Sequence, residues 1–241
     1  MHVPRFVPAF PILVVLLTLF TGAYATNTWD ATQDFGDFNP NGAWSYGYGV
    51  TGSSFTPYSL WDPACIGSAG VGCWHANNVG QEIPLVGFNA TGHYVISNTA
   101  IFPPDSLFVH PYAGEDTIVR WTAPADGTYS IAAFFDILDT HPTGIIGLVY
   151  ENSTPLFRGE LLGPPAQFPD KVGGREDFSF PALNLHAGDV ISFAVNDDND
   201  YNYDTTGFNA TITLVPEPCS LLFLASGLAT MAGFVRLKLR K

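Results

Sequence analysis

The residues best suited to chemistry lie in one polar loop near the end of the chain, residues 196–207. Four of them alternate along the loop: Asp198, Asp200, Asn202 and Asp204. Carboxylate and amide oxygens at every second position can converge on Ca²⁺ when such a loop curls. The loop lacks the Gly and Glu that complete an EF-hand loop. The sequence leaves two interpretations open, a Ca²⁺ site and a solvated turn whose Asn and Asp side chains hydrogen-bond their own backbone.

A second group with recognition chemistry consists of four aromatic side chains: Trp44, Tyr46, Tyr48 and Trp61. The first three alternate in the stretch NPNGAWSYGY, where a turn at 39–42 feeds a strand, so they point to one side of it. If exposed, this row would form a platform that stacks on sugar rings. If buried, it would be core against a facing sheet. Both alternatives stay open.

Cys65 and Cys73 lie eight positions apart in the glycine-rich stretch CIGSAGVGC. In an oxidising compartment this spacing predicts a disulfide that closes a small surface loop. The alternative is a pair of free thiols that bind a metal together with a residue such as His75. The spacing is not that of a zinc site, which favours the disulfide.

The sequence contains none of the catalytic motifs that would identify an enzyme class. The chain has no GxSxG, Walker or HExxH motif, and the four histidines that precede the last predicted strands are widely separated: His75, His93, His110 and His141. Glycoside hydrolysis needs two facing carboxylates, and among 22 acidic residues composition alone nominates no pair. We therefore expect a protein without catalytic activity.

Strand patterns recur along the chain, whereas helical periodicity is nearly absent from its central part. In GTYSIAAFFDI, one face carries Tyr129, Ile131, Ala133 and Phe135 in period two. Similar runs occur at 83–88, 116–122, 144–151, 154–162, 177–185, 189–195 and 208–215. Together with 24 Gly and 19 Pro, they predict an all-β fold. We expect a single antiparallel β-sandwich of the jelly-roll type, with an immunoglobulin-like strand order as the alternative.

The chain is acidic, with 22 Asp and Glu against 9 Lys and Arg and a formal net charge of −13. Residues 26–214 hold all but one of the acidic residues and only four of the basic ones. Such a surface repels nucleic acid and anionic membranes, so we expect neither as a partner. The excess of carboxylates has two interpretations: it keeps an exported protein soluble, or it binds divalent cations.

The amino-terminal end carries an export pattern. Arg5 precedes an apolar stretch at 10–20, and Ala23-Tyr24-Ala25 offers the small residues that signal peptidase requires. We therefore predict a signal peptide over residues 1–25, cleaved after Ala25. A retained amino-terminal anchor is the alternative.

The carboxyl-terminal end has the pattern of a transmembrane helix. VPEP at 215–218 precedes an uncharged run at 219–235. As a helix, that run would reach about 25 Å, the short end of what crosses a bilayer core. The basic end at 236–241 contains Arg236, Lys238, Arg240 and Lys241. Clustered Lys and Arg stay on the cytoplasmic side, which would leave one folded domain, residues 26–214, outside.

Pro216, Glu217 and Pro218, the apolar run and the basic end resemble the PEP-CTERM sorting domain, also called the ice-binding protein C-terminal domain. The resemblance covers residues 215–241 and implies a Gram-negative host. It also implies processing by exosortase near the motif and transfer to the cell envelope, the outer surface or the extracellular matrix. An ordinary carboxyl-terminal anchor is the alternative.

Two further stretches, WTAPADGTYSIAAFF and GDVISFAV, are similar to strands of the galactose-binding-like sandwiches found in carbohydrate-binding modules. This resemblance concerns the fold. We expect a non-catalytic protein for adhesion to, or structural binding of, extracellular polysaccharide. A polysaccharide hydrolase or lyase is the alternative, and it predicts a cleft with paired carboxylates. A self-associating matrix protein would show neither a cleft nor an exposed aromatic row.

Overall fold

A computed structural model describes residues 27–76, 83–162 and 174–216 of the 241-residue chain. The described residues form short and long strands joined by tight turns, with one 3₁₀ turn, η1, at Cys65–Gly67. The strands of the first half are β1 (Thr28–Asp30), β2 (Trp44–Gly49), β3 (Thr56–Pro57), β4 (Leu60–Asp62), β5 (Val71–His75), β6 (Leu85–Asn89), β7 (Val95–Ser97) and β8 (Ala100–Phe102). Those of the second half are β9 (Ser106–His110), β10 (Asp116–Thr122), β11 (Gly127–Ile137), β12 (Ile145–Glu151), β13 (Thr154–Leu161), β14 (Arg175–Leu185), β15 (Val190–Asn196) and β16 (Thr206–Val215).

The strands assemble into two large antiparallel sheets and one small one. Sheet A has the order β14-β11-β16-β9-β6-β5-β4, and β1 pairs with the carboxyl-terminal half of β16. Sheet B has the order β13-β12-β15-β10-β2-β3. The third sheet is the hairpin β7–β8. The prediction of an all-β fold with antiparallel sheets is therefore confirmed.

Strands β9 to β16 alternate between the two large sheets. Strands β9, β16, β11 and β14 are neighbours in sheet A, whereas β10, β15, β12 and β13 are neighbours in sheet B. Strands that follow one another in the chain therefore tend to lie in opposite layers. This alternation makes most of the pairing non-local, as when β11 pairs with β16 from Thr128↔Val215 to Ile137↔Thr206.

The main core lies between the two sheets. In β11, Tyr129, Ile131 and Phe135 are buried and belong to one apolar cluster with Trp121 of β10 and Phe193 of β15. The alternate residues of β11 lie on the other face and are partly or fully exposed. The face of β11 predicted to be apolar is thus the face that packs against sheet B, as period-two alternation requires.

A second, smaller core covers the outer face of sheet A at β5, β6 and β9. Val71, Leu85 and Phe108 point there, while their neighbours Trp74, Val86 and Val109 point into the main core. Because both faces of these strands are buried, they read as nearly continuous apolar runs rather than alternating ones.

A disulfide and the hairpin β7–β8 build the cover of this second core. Cys65 in η1 and Cys73 in β5 form a disulfide with an S–S distance of 2.11 Å, and both residues are fully buried. The hairpin contributes Val95, Ala100 and Phe102. The bridge therefore joins η1 to sheet A, and it lies inside a core rather than in the surface loop that we expected.

The predicted ends of the chain fall outside the described residues. The signal peptide at 1–25, the segment at 219–235 and the basic end at 236–241 are not described, and Pro216 is the last described residue of the sorting motif. Within residues 27–76, 83–162 and 174–216, no helix has the length and apolar character needed to cross a bilayer.

Candidate functional site

A cleft of about 740 Å³ lies beside the second core, on the outer side of sheet A. This volume is in the range of sites that bind small ligands. The apolar part of its lining includes Leu85, Ala100 and Phe108. The polar and aromatic part comprises His75, Ser97, Asn98, Thr99, His110, Asp139, Tyr201, Asn202, Tyr203 and Thr205.

Strand pairing places the two histidines of the cleft. His75 ends β5 and His110 ends β9, and both are paired in register with Leu85 of β6. Directly paired residues of an antiparallel sheet project from the same face. The two Cα atoms, separated by two inter-strand spacings, are therefore about 10 Å apart. The two histidines therefore offer two contact points for a ligand on the same face of sheet A.

The same hydrogen bond fixes the tautomer of both rings. Nδ1 lies 2.9 Å from the carbonyl oxygen of Ala76 in His75 and 2.7 Å from that of Pro111 in His110. A carbonyl oxygen only accepts, so Nδ1 carries the proton and Nε2 of each neutral ring keeps its lone pair. Burial lowers the pKa of His110, while the bond to Pro111 and the charge of Asp139 oppose that shift. His110 is therefore a neutral acceptor at neutral pH.

Hairpin β7–β8 forms one wall of the cleft, and Asn89 holds the hairpin in place. Nδ2 of this fully buried residue lies 2.9 Å from the carbonyl oxygen of His93, 3.0 Å from that of Phe102 and 2.9 Å from that of Pro103. Its Oδ1 accepts from the amide and the hydroxyl of Thr91. One side chain thus connects β6 to the chain on both sides of the hairpin.

The loop 197–205 forms the opposite wall, and Thr143 ties it to the segment after β11. The Thr143 hydroxyl lies 2.9 Å from the carbonyl oxygen of Asp200, 2.5 Å from that of Asn202 and 2.7 Å from Oδ1 of Asp204. Main-chain bonds add to this link, since Leu138 donates to the carbonyl of Thr205.

Asp204 is the buried carboxylate behind this wall. It is 0% exposed, and its Oδ2 has no hydrogen-bond partner among the described residues. Burial raises the pKa of Asp204 to about 8; the Thr143 hydroxyl lowers it, and the charges of Asp200, Asp197 and Asp139 raise it further. The charges of three neighbouring carboxylates therefore act on Asp204.

The Ca²⁺ set predicted from alternating side chains is wrong in that form. Asp198 is exposed, Asp200 accepts hydrogen bonds from the amide and side chain of Asn202, and Asp204 points inward and is buried. Among residues 27–76, 83–162 and 174–216, no three His, Cys, Asp or Glu side chains are grouped so as to hold a metal ion. The reason is the left-handed backbone at Asp198, Asn199 and Tyr203, which breaks the period-two alternation.

The predicted sugar platform is wrong for its first two members. Trp44 is 1% and Tyr46 is 0% exposed, so both belong to the main core. The Trp44 indole donates from Nε1 to Oδ2 of Asp34 at 3.1 Å. The alternation was identified correctly, but sheet A covers the face on which these side chains lie.

The other two members, Tyr48 and Trp61, are partly exposed and engaged by other rings. The ring of Tyr48 stacks on that of Tyr58 with centroids 5.5 Å apart. The indole of Trp61 packs against Trp74 at 5.3 Å and Phe35 at 6.0 Å. These contacts divide the predicted row into separate aromatic groups, and none of the four residues lines the cleft.

Sequence reasoning missed the residues that the cleft brings together. His75 and His110 are far apart in the chain, and only strand pairing makes them neighbours of Leu85. Tyr201 and Tyr203 do carry a local signal, since they alternate with the acidic residues of the loop and contact Tyr112 and His141. An aromatic ring on a polar loop was the observation that could have identified this wall.

No family model matches this chain, and no curated protein matches its sequence. Among solved structures, a cyclase from Fischerella sp. TAU matches 63% of this chain and 87% of its own, at 9% identity and a TM-score of 0.35. An arabinose-bound α-L-arabinofuranosidase matches 71% of this chain at 9% identity and a TM-score of 0.31. An exo-β-1,3-galactanase from Phanerochaete chrysosporium matches 51% at 15% identity and a TM-score of 0.29.

The matches to the two glycosidases span only 23% and 26% of the glycosidase chains. At these identities and TM-scores, all three similarities are too distant to assign a function. The residues of the cleft carry the functional argument.

Proposed function

We propose that this protein binds extracellular polysaccharide, without catalysis, in the cleft between hairpin β7–β8 and the loop 197–205. The observation that carries the proposal is the composition of the cleft. It combines tyrosine rings with hydroxyl, amide and imidazole groups around an apolar floor. Sugars have apolar ring faces and a rim of hydroxyl groups, so they require both kinds of contact.

Tyr203 is the residue best placed to stack on a sugar ring. It lines the cleft and is 47% exposed. Its backbone has φ of 63°, a left-handed conformation that costs a non-glycine residue about 1–2 kcal/mol. Strain of this kind persists where the surrounding structure imposes it, often at binding sites.

The arrangement of carboxylates supports binding rather than hydrolysis. Hydrolysis of a glycosidic bond needs two carboxyl groups that face the substrate. In the described part of the lining, Asp139 is the carboxylate that reaches the cleft. Asp204, whose pKa is raised to about 8, is fully buried behind the wall and does not line the cleft in which a sugar would bind.

We extend the proposal to location and topology. The predicted signal peptide and the PEP-CTERM-like tail support export and sorting by exosortase to the envelope or the matrix, where polysaccharide would be the ligand at hand. The order of β9 to β16 in the two sheets supports the jelly-roll topology expected from the sequence. Fractionation of the host with an internal tag tests the sorting: the mature protein should be trimmed near Pro218 and found outside the inner membrane.

The binding test compares two exposed aromatic residues in the full-length chain, purified in a non-glycosidic detergent. Affinity electrophoresis in gels that contain dextran, galactan or alginate should identify a retarding polysaccharide. Tyr203→Ala should weaken the retardation at least tenfold. Phe38→Ala is the matched control, because Phe38 is 69% exposed and lies outside the cleft. Retardation that survives Tyr203→Ala, or that Phe38→Ala abolishes equally, contradicts the proposal.

A polysaccharide lyase is the second candidate, and one observation favours it. His110 is held neutral beside the charge of Asp139 in the cleft, as a general base requires. A lyase would cleave an acidic polysaccharide and release unsaturated products. These products absorb in the ultraviolet. If the wild type forms these products and His110→Ala does not, the protein is a lyase, and the proposal of binding without catalysis is wrong.

A further inference from the structure

The Thr143 hydroxyl lies among more oxygen atoms than it can satisfy. Three acceptors contact it within 2.9 Å: the carbonyl oxygens of Asp200 and Asn202 and Oδ1 of Asp204. A hydroxyl has one proton, so it donates to one of them. When the Asp204 carboxyl is ionised, the two remaining contacts bring lone pairs together without a hydrogen atom between them.

The second observation concerns the buried end of the same carboxylate. Oδ2 of Asp204 has no partner among the described residues, although the residue is 0% exposed. An unpaired buried polar atom costs about 1–3 kcal/mol, and more when it is charged. A native protein usually satisfies such an atom with a ligand, a water molecule or an ion.

The charged groups that act on Asp204 are carboxylates. Asp139 and Asp197 are 3% and 6% exposed, and together with Asp200 they act electrostatically on Asp204. The three described arginines are engaged elsewhere: Arg158 and Arg175 in ion pairs, and Arg120 over the ring of Phe55. No basic side chain of the described residues forms an ion pair with this group.

We infer that Asp204, Thr143 and the main-chain carbonyls of Asp200 and Asn202 bind one divalent cation. The ligand set is mixed, with one carboxylate, one hydroxyl and two carbonyl oxygens, so it does not depend on three acidic side chains in one group. Hard oxygen ligands of mixed type and irregular geometry suit Ca²⁺, whereas Mg²⁺ demands a near-octahedral set and retains water. Ligands of this kind do not select zinc or copper.

The cation would connect the two segments that carry one wall of the cleft. Thr143 belongs to the chain after β11, and the other ligands belong to the loop before β16. Tyr201 and Tyr203 lie between these ligands in sequence and line the cleft. Binding of the ion would therefore order the wall, with or without a polysaccharide.

Metal binding can be tested with Ca²⁺ and Tb³⁺ alone in the full-length chain after removal of metals with a chelator. Tb³⁺ should show luminescence sensitised by Tyr201 and Tyr203, and Ca²⁺ should displace it. Calorimetry should give one Ca²⁺ per chain, and the melting temperature should rise with Ca²⁺ concentration. A Mg²⁺ titration should compete at least tenfold more weakly.

Asp204→Asn should reduce Ca²⁺ affinity at least tenfold, while Asp198→Asn should leave it unchanged. The second variant is the matched control, because it removes the same charge from an exposed position of the same loop. If Asp204→Asn does not fold, Thr143→Val tests the same site, and it should also reduce Ca²⁺ affinity. Near-ultraviolet circular dichroism checks that Thr143→Val is folded. A folded wild type without Tb³⁺ luminescence or Ca²⁺ heat, or an equal loss in Asp198→Asn, overturns the inference. Neither result depends on polysaccharide binding, so the two proposals fail separately.

Discussion

Tyr46 and Tyr129 are both fully buried in the core between the sheets, but only the hydroxyl group of Tyr129 has a hydrogen-bond partner among the described residues. The Tyr129 hydroxyl donates to the carbonyl of Ala125 at 2.8 Å, whereas the Tyr46 hydroxyl has no partner among the described residues. Burial raises the pKa of both side chains, so both stay neutral at every physiological pH. The two residues form a matched pair for measuring the cost of an unpaired hydroxyl.

The first prediction follows from this pair. Tyr46→Phe should leave the free energy of unfolding unchanged or raise it by up to about 1 kcal/mol, because it removes an unsatisfied polar atom. Tyr129→Phe should lower it by about 1 kcal/mol, because it removes a hydrogen bond. Urea unfolding of both variants checks the difference. A larger loss in Tyr46→Phe than in Tyr129→Phe would show that Tyr46 has a partner.

The second prediction concerns the bridge that joins η1 to β5. Cys65 and Cys73 close a loop with a sequence separation of 8. Replacing both by Ala should lower the free energy of unfolding by about 2.5 kcal/mol through the gain of entropy in the unfolded chain. A reducing agent should lower the stability of the wild type by a similar amount and leave the double variant unaffected. Equal stability of all four samples would contradict the prediction.

Asn89 provides the third prediction, because it attaches hairpin β7–β8 to sheet A. Asn89→Ala removes the two-proton amide donor that lies within 3.0 Å of three carbonyl oxygens, and it should cost about 2–4 kcal/mol. Amide hydrogen exchange should accelerate in the hairpin before the rest of the domain. Asn184→Ala is the control and should cost less than about 0.5 kcal/mol, since the bond from Thr128 to Asn184 is exposed. Unchanged exchange in the hairpin of Asn89→Ala would refute the role assigned to Asn89.

The fourth prediction is a pH dependence at Asp136. Burial raises the pKa of this carboxyl to about 6, although Arg175 lies 3.7 Å away and lowers it. A raised pKa means that the folded state holds the proton more tightly than the unfolded state. This contribution to stability is therefore present at pH 4 and lost as the pH rises through about 6. Asp136→Asn should thus gain stability relative to the wild type between pH 4 and 7, by about 1 kcal/mol after allowance for solvent screening.

Asp177→Asn serves as the control of opposite sign for this prediction. Its hydrogen bond to Arg175 lowers the pKa of Asp177, so this contribution is present at neutral pH and lost on acidification. The stability of Asp177→Asn relative to the wild type should therefore fall as the pH rises. Urea unfolding at several pH values measures both differences, and parallel trends in the two variants would contradict the assignment.

Much of the fold could be predicted because its evidence is local. The apolar face of β11 was identified from Tyr129, Ile131 and Phe135 alone, and the predicted runs from 116 to 215 correspond to β10 to β16. Several strands of the first half, β3 to β5 and β7 to β9, were not identified. These strands are short or buried on both faces, and neither kind shows a clear alternation.

The sequence by itself determined that the chain forms antiparallel sheets, which residues of each strand share a face, and that two cysteines were close enough to pair. The tertiary structure decided which face is covered, and this buried Trp44 and Tyr46 rather than exposing them to a ligand. It also decided that His75 and His110 would be neighbours of Leu85. The physical reason is that side-chain alternation is a property of a few consecutive residues, whereas burial and strand pairing depend on segments far apart in the chain.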